Sequence, residues 1–190
     1  KKFNNFISEK INENNKKIEL DLEAIQFKLD IRETSLFLET DRPKIYYKSI
    51  LIPSEKIKVY LDFLSILKSK LKINKVILSL DQISVNQLKI LSKSLKPSNF
   101  QSFIKNNLIE GKVKSEIEFY LDTSNALKNF IARGQTSDLR IGITKDLELK
   151  ESSFSFFADQ TDIQLQNFFG KTELFTIEDG DLRVDLSSEI

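Results

Sequence analysis

The sequence predicts a mainly β protein, an antiparallel meander interrupted by a few short helices at about 62–105. Three observations carry that expectation. Apolar and polar residues alternate with period two along most of the 190 residues, the pattern of strands with one buried face. The connections between successive alternating runs are too short for parallel crossovers, which need about a dozen residues or more. Between the two strand-rich stretches the period changes, and helix-capping residues stand at the offsets a helix start requires.

Taken in order, Ile18, Leu20 and Leu22 alternate with Glu19, Asp21 and Glu23, and Ile25, Phe27, Leu29 and Ile31 alternate with Gln26, Lys28 and Asp30. Leu36 and Leu38 form the next run, followed by Ile45 and Tyr47 after a turn at Arg42-Pro43. The run holding Ile50 and Ile52 stops at Pro53, which has no N–H to give a ladder. Ile57, Val59 and Leu61 alternate with Lys56, Lys58 and Tyr60; Ile73, Val76, Leu78 and Leu80 make the last strand of this stretch.

The middle reads as helix. Ser84 is an N-cap with Gln87 at N3, which completes a capping box, and Ile83 with Leu88 forms a hydrophobic staple. Leu88, Leu91 and Leu95 share a stripe, Lys89, Lys93 and Lys96 are left for water, and Pro97 ends the helix. Ser98 and Gln101 offer a second box before a short helix that groups Phe100, Phe103 and Ile104; a further short helix is expected at 62–70, capped by Asp62.

Strands resume at Ile109. Ile109, Gly111, Val113, Ser115, Ile117, Phe119 and Leu121 share one face of a run far longer than the ~5–6 residues of an ordinary strand. Further strands are expected at 130–136, 139–143, 147–149, 152–158, 162–166, 172–177 and 181–186. Turns join them at 144–146, at 159–161 and at Glu178-Asp179-Gly180-Asp181.

Composition narrows the chemistry. The chain has no His, Cys, Met or Trp, which removes the commonest general base and metal ligand, thiol nucleophiles and disulfides. No cofactor or metal is expected, and no enzymatic activity. Glu178-Asp179-Gly180-Asp181 lacks the ligand spacing of a calcium loop and reads as a plain hairpin turn. Asp159 and Asp162 flank a turn without the defined cleft that paired glycosidase carboxylates need. No phosphate-binding glycine loop occurs among the five Gly.

The net charge of +1 hides a division: residues 1–105 carry 20 Lys/Arg against 12 Asp/Glu, whereas residues 106–190 carry 9 against 16. Lys outnumbers Arg 24 to 5, which argues against nucleic acid as a partner. The nine Lys of residues 56–96, set against Asp62 and Asp81, form either a solvated face or a surface for anionic headgroups. No run reaches the ~18–20 apolar residues of a membrane helix. A chain without Met that starts at Lys1 is expected to be a piece of a longer one, any membrane anchor lying upstream.

Alternating strands suit a closed barrel, a sandwich or an open curled sheet. Few Gly to bend corners and faces rich in Phe, Ile and Leu favour the open groove, whose apolar face would need a partner such as lipid acyl chains. The alternative is a non-catalytic β-sandwich or barrel scaffold for outer-membrane assembly or for binding a protein or glycan.

Particular stretches resemble the N-terminal region of the AsmA-like family (the AsmA/TamB/YhdP superfamily). They are Lys44-Ile45-Tyr46-Tyr47, Ile50-Leu51-Ile52-Pro53, the run Ile57–Leu67 leading into Ile73–Leu78, and the Gly-containing segment Glu178–Leu186. The resemblance implies an elongated meander curled into an open groove (a β-taco), like the bridge-like lipid transfer proteins. It also implies a periplasmic location, anchorage to the bacterial inner membrane by an upstream helix, and shielding of phospholipid acyl chains between inner and outer membranes. The groove would be lined by Ile25, Phe27, Leu29, Ile57, Val59, Val76, Leu78, Val113, Ile117, Phe119, Leu139, Ile141, Phe154, Phe156, Ile163, Leu165, Leu182 and Val184. For each of these, an ordinary place in a closed core is the competing reading.

Overall fold

The computed structural model describes residues 18–22, 24–31, 35–62, 72–93, 99–122 and 126–185. Of the helix expected at 62–70 only Asp62 is described; residues 63–70, and Leu95, Lys96, Pro97 and Ser98, lie outside the described residues. The chain divides into two compact units. One holds the described residues up to Asp81 together with Glu116–Ile131; the other holds Gln82–Ser115 and the described residues from Ala132 onward.

The first unit is built from β1 (Ile18–Asp21), β2 (Gln26–Asp30), β3 (Ser35–Asp41), β4 (Lys44–Tyr47), β5 (Ile50–Ile52), β6 (Ser54–Leu61) and β7 (Ile73–Leu80). Parts of two long strands complete it: the end of β9 (Leu108–Leu121) and the start of β10 (Leu127–Gly142). A small sheet has the order β1-β4-β5, and a larger one the order β2-β3-β6-β7-β9-β10. In the small sheet Leu20 pairs with Ile45 and Ile45 with Ile52, and Leu20 and Ile45 are buried. The β4–β5 hairpin turns on two residues, Lys48 and Ser49, with φ of 49° and 64°. Positive φ at both central positions is the turn whose twist matches that of paired strands. Arg42 (φ 48°) makes the expected turn with Pro43, its N–H donating to the Glu55 carbonyl over 2.8 Å.

The second unit holds β8 (Ile83–Ser84), α1 (Val85–Ser92), α2 (Asn99–Asn106), the start of β9, the end of β10, β11 (Glu148–Ala158), β12 (Asp162–Lys171) and β13 (Thr176–Asp185). Its strand order is β13-β12-β11-β10-β9, with β8 also on β9. The capping box of α1 forms as expected: Ser84 Oγ accepts from the Gln87 N–H, and Gln87 Oε1 accepts from the Ser84 N–H over 2.9 Å. α1 is shorter than expected and ends at Ser92. Gln101 Nε2 donates to the Ser92 carbonyl over 2.8 Å and ties α2 to the end of α1. The two helices cover one part of the sheet. Val85, Ile104, Leu108, Leu139, Ile141 and Leu149 form a buried cluster, with Leu88, Phe154 and Phe168 packed against it.

Three expected breaks are not breaks. The segments read as separate strands at 130–136 and 139–143 are one strand, β10; those at 147–149 and 152–158 are one strand, β11; and β12 runs on past Gln166 to Lys171. At each junction a single non-Gly residue takes a positive φ: Asp138 at 53°, Glu151 at 52° and Asn167 at 52°. The registers shift at the same places, so each junction is a β-bulge that absorbs a residue and lets the strand continue. The last expected turn is also wrong. Glu178-Asp179-Gly180-Asp181 lies inside β13, with Gly180 opposite Phe168. The chain reverses at 172–175 instead, where the Thr172 N–H donates to the Phe175 carbonyl over 2.8 Å and Thr172 Oγ1 accepts from the Leu174 and Phe175 N–H groups.

All strand pairs with a defined register are antiparallel. Among the described residues β2 and β13 end the hydrogen-bonded order and do not pair with each other, so the sheet is not a closed barrel.

Candidate functional site

In the first unit the strand registers bring apolar residues together across five strands. Phe27 pairs with Leu38 and Leu29 with Leu36; Leu38 pairs with Val59 and Leu36 with Leu61. Val59 then pairs with Val76 and Ile57 with Leu78, and these pair with Phe119 and Ile117. Residues in register on neighbouring strands share a face, so one face is apolar from β2 to β9. Leu38 and Leu61 are buried, but Ile57, Val59, Val76, Leu78, Ile117 and Phe119 are only half-buried. At the β2 end, Phe27 is 57% and Leu29 is 66% exposed. Ile25 precedes β2 and is half-buried. Leu36, Leu38 and Leu61 complete this face and are absent from the residues expected to line the groove, although they follow the same alternation.

The opposite face is charged, and its burial does not follow polarity. Glu39 is only 4% exposed. Its carboxylate is ion-paired with Lys28, with Lys56 at 3.4 Å and with Lys58 at 3.9 Å. Burial pushes the Glu39 pKa up, but the hydrogen bond from Lys28 and the charges of Lys56 and Lys28 outweigh it, and the net displacement is downward. Phe37 stacks on Tyr60 at 5.1 Å. Lys58 lies over the Phe37 ring and Lys75 over the Tyr60 ring, 4.3 Å from its centroid in the second case. Lysine stems and ammonium groups thus cover the aromatic rings of this face, while the apolar face at β2 meets solvent.

In the second unit the sequence-predicted residues separate into two groups. Leu139 is 1% exposed and Ile141 is buried with it in the cluster under α1 and α2. They are core residues, and their assignment to an open face is corrected: the helices fill the space that a ligand would need. Phe154 is half-buried, packs against that cluster and stacks on Phe168 at 5.7 Å. Val113 pairs with the buried Ile83. The remaining five stay together on one face of β11–β13: Phe156 pairs with Leu165 and Leu165 with Leu182, and Ile163 pairs with Val184. Phe156, Ile163 and Leu165 are half-buried, and Leu182 and Val184 are 54% and 43% exposed. Gly134 lies opposite Phe156, leaving room for that ring on the face.

Polar groups that could suggest catalysis have structural partners. Asp159 Oδ1 accepts from the Thr161 hydroxyl and N–H, both at 2.7 Å, and from the Asp162 N–H at 3.0 Å. The hydrogen bonds from Thr161, then that from Asp162, hold its pKa below the usual carboxylate range. Asp162 is buried and ion-paired with Arg183. A depression of about 340 Å³ is lined by Glu110, Asp138, Arg140, Lys150 and Glu151. Four of its five charged residues are committed to ion pairs: Arg140 with Glu110 and Glu148, Glu151 with Lys171, and Lys150 with Glu173. Among the described residues no group of three or more Asp or Glu is placed to hold a metal ion, and no helix is long and apolar enough to cross a membrane.

The arrangement offers apolar sheet surface, in each unit separately, that no described element covers completely. Such a surface can receive acyl chains or another apolar partner without any titrating group taking part. Comparison of the chain with protein-family models, with curated proteins and with solved structures finds no match.

Proposed function

We propose that this chain is a lipid-handling module of a bacterial envelope protein, akin to the AsmA-like family, whose sheet curls into an open groove. In this reading phospholipid acyl chains lie against the apolar faces while headgroups remain in water. The whole protein would be held at the inner membrane by a segment upstream of Lys1 and would carry lipid across the periplasm towards the outer membrane.

One observation carries the reading: the continuous apolar register from Phe27 and Leu29 on β2 to Ile117 and Phe119 on β9, exposed at β2, buried at Leu38 and Leu61, and half-buried from Ile57 and Val59 onward. Shielding one methylene from water is worth about 0.8 kcal/mol, so a face of this extent stabilises even a loosely held acyl chain. The contacts are non-directional, so selectivity among acyl chains is low.

Native mass spectrometry of the purified protein, with organic extraction of bound lipid, tests the proposal. Co-purified phospholipid, or uptake of a fluorescent phospholipid, is expected. In Ile117→Asp/Phe119→Asp, lipid loading should fall to background while the circular dichroism spectrum is kept. A folded wild type that neither carries nor takes up lipid would sink the reading and leave the face to a protein partner; unfolding of the double variant would show that the face is closed core.

A further inference from the structure

We propose that the helix pair α1–α2 is a docking surface for an anionic lipid bilayer. Residues 82–109 contain four Lys and no Asp or Glu, in a chain with 28 acidic residues. The two helices inside that span therefore present positive charge alone. Lys93 and Lys105 are exposed and Lys89 is half-buried. Among the described residues none of the three is ion-paired, although ion pairs are plentiful on the strands of the same unit.

The second observation is apolar. Val85, Leu88 and Ser92 form the stripe of α1 that faces inward, with Val85 and Ser92 buried and Leu88 packed on the core. Ile90 falls on the opposite side of α1 and is 48% exposed; on α2, Ile104 is buried and Phe103 is 43% exposed. A surface helix normally gives such positions to polar residues. The Gln101–Ser92 hydrogen bond holds the two helices together, so the apolar residues and the lysines belong to one tied element. Lysine-only charge beside exposed Ile and Phe is the chemistry of an interfacial helix: the ammonium groups meet headgroup phosphates and the apolar side chains enter the acyl boundary. A nucleic-acid groove would use the lysines but would leave Ile90 and Phe103 without a role. The inference does not depend on acyl-chain uptake, since a bilayer surface can be bound without removing lipid from it.

Flotation with phosphatidylcholine vesicles, with and without phosphatidylglycerol, tests it. The wild type is expected to float only with the anionic vesicles and to be released by high salt. Removing one lysine charge near such a surface weakens binding about fivefold, so Lys89→Gln/Lys93→Gln/Lys105→Gln should weaken it roughly a hundredfold. Lys44→Gln/Lys128→Gln/Lys145→Gln, which changes the net charge equally, should leave it close to wild type. Ile90→Ser/Phe103→Ser should weaken binding about tenfold while keeping its salt dependence. Equal binding to neutral and anionic vesicles, no vesicle binding at all, or a helix-lysine variant that floats like wild type would each overturn the proposal. So would wild-type binding to polyglutamate or double-stranded DNA in which the Ile90/Phe103 variant matches wild type on the vesicles too.

Discussion

Leu29 and Leu139 allow the difference between face and core to be measured with one chemical change. Leu139→Ala removes a side chain that is 1% exposed and packed in the cluster beneath the helices. Deleting a buried leucine to Ala costs about 2–5 kcal/mol, because a cavity remains where the side chain was. Gly111 packs closely on Leu139 and has no side chain to move into the space left behind, so a cost of about 3 kcal/mol is expected. Leu29→Ala deletes the same atoms from a side chain that is 66% exposed. Only about a third of the ~2 kcal/mol available from full burial is at stake, and allowing for burial in the unfolded chain the cost is about 0.5 kcal/mol. With a urea m-value of about 1.5 kcal/mol/M, the midpoint shifts are about 2 M and about 0.3 M. All four Tyr lie in the first unit, so tyrosine fluorescence follows the unit that holds Leu29, while far-UV circular dichroism follows both. If Leu29→Ala moved the first unit's midpoint as far as Leu139→Ala moves the second's, the face at β2 would be packed interior and the proposed function would lose its support.

Further outcomes follow from four single sites. A Cβ at Gly134 would lie 2.2 Å from the Lys114 carbonyl oxygen and 2.7 Å from Phe156 Cζ. Gly134→Ala should therefore cost about 2 kcal/mol in a thermal melt, whereas Gly142→Ala, whose nearest neighbour stands at 3.7 Å, should be close to neutral. Ser84→Ala removes the N-cap of α1 and should cost about 1 kcal/mol by urea denaturation. Glu39 has a folded-state pKa below its unfolded one, so its stabilising effect is present above the ordinary Glu range and is lost as pH falls through the depressed folded value. Wild type should lose stability across that acidic window more steeply than Glu39→Gln, as measured by urea midpoints at stepped pH; parallel profiles would show that the lysine cluster does not stabilise the carboxylate.

Strand identity was legible wherever alternation ran unbroken, as in β6 and β9, and the start of α1 was legible down to the reciprocal hydrogen bonds of Ser84 and Gln87. Strand continuity was not. A bulge at Asp138, Glu151 or Asn167 shifts the alternation by one residue and imitates a turn, and the polar residues that tolerate a positive φ are those that turns favour. Glu178–Asp181 misled for a related reason: acidic residues beside a Gly suit a turn, but they also suit a terminal strand whose side chains meet water. The face of unit one was readable as alternation in five strands, yet its continuity needed the register. Leu139 and Phe156 sit on alternating strands and look alike in sequence. Only the placement of α1 and α2 makes one of them fully buried core while the other stays half-buried.

The terminal position of β13 bears on how the molecule behaves in a crowd. Among the described residues the strand has β12 as its one hydrogen-bonded neighbour, so ten residues of backbone offer a template for cross-molecule strand addition. Glu178, Asp179, Asp181 and Asp185 are all exposed along that rim. Two such rims approaching each other would bring carboxylate against carboxylate, a repulsion that discourages fibre-like stacking of one copy on the next.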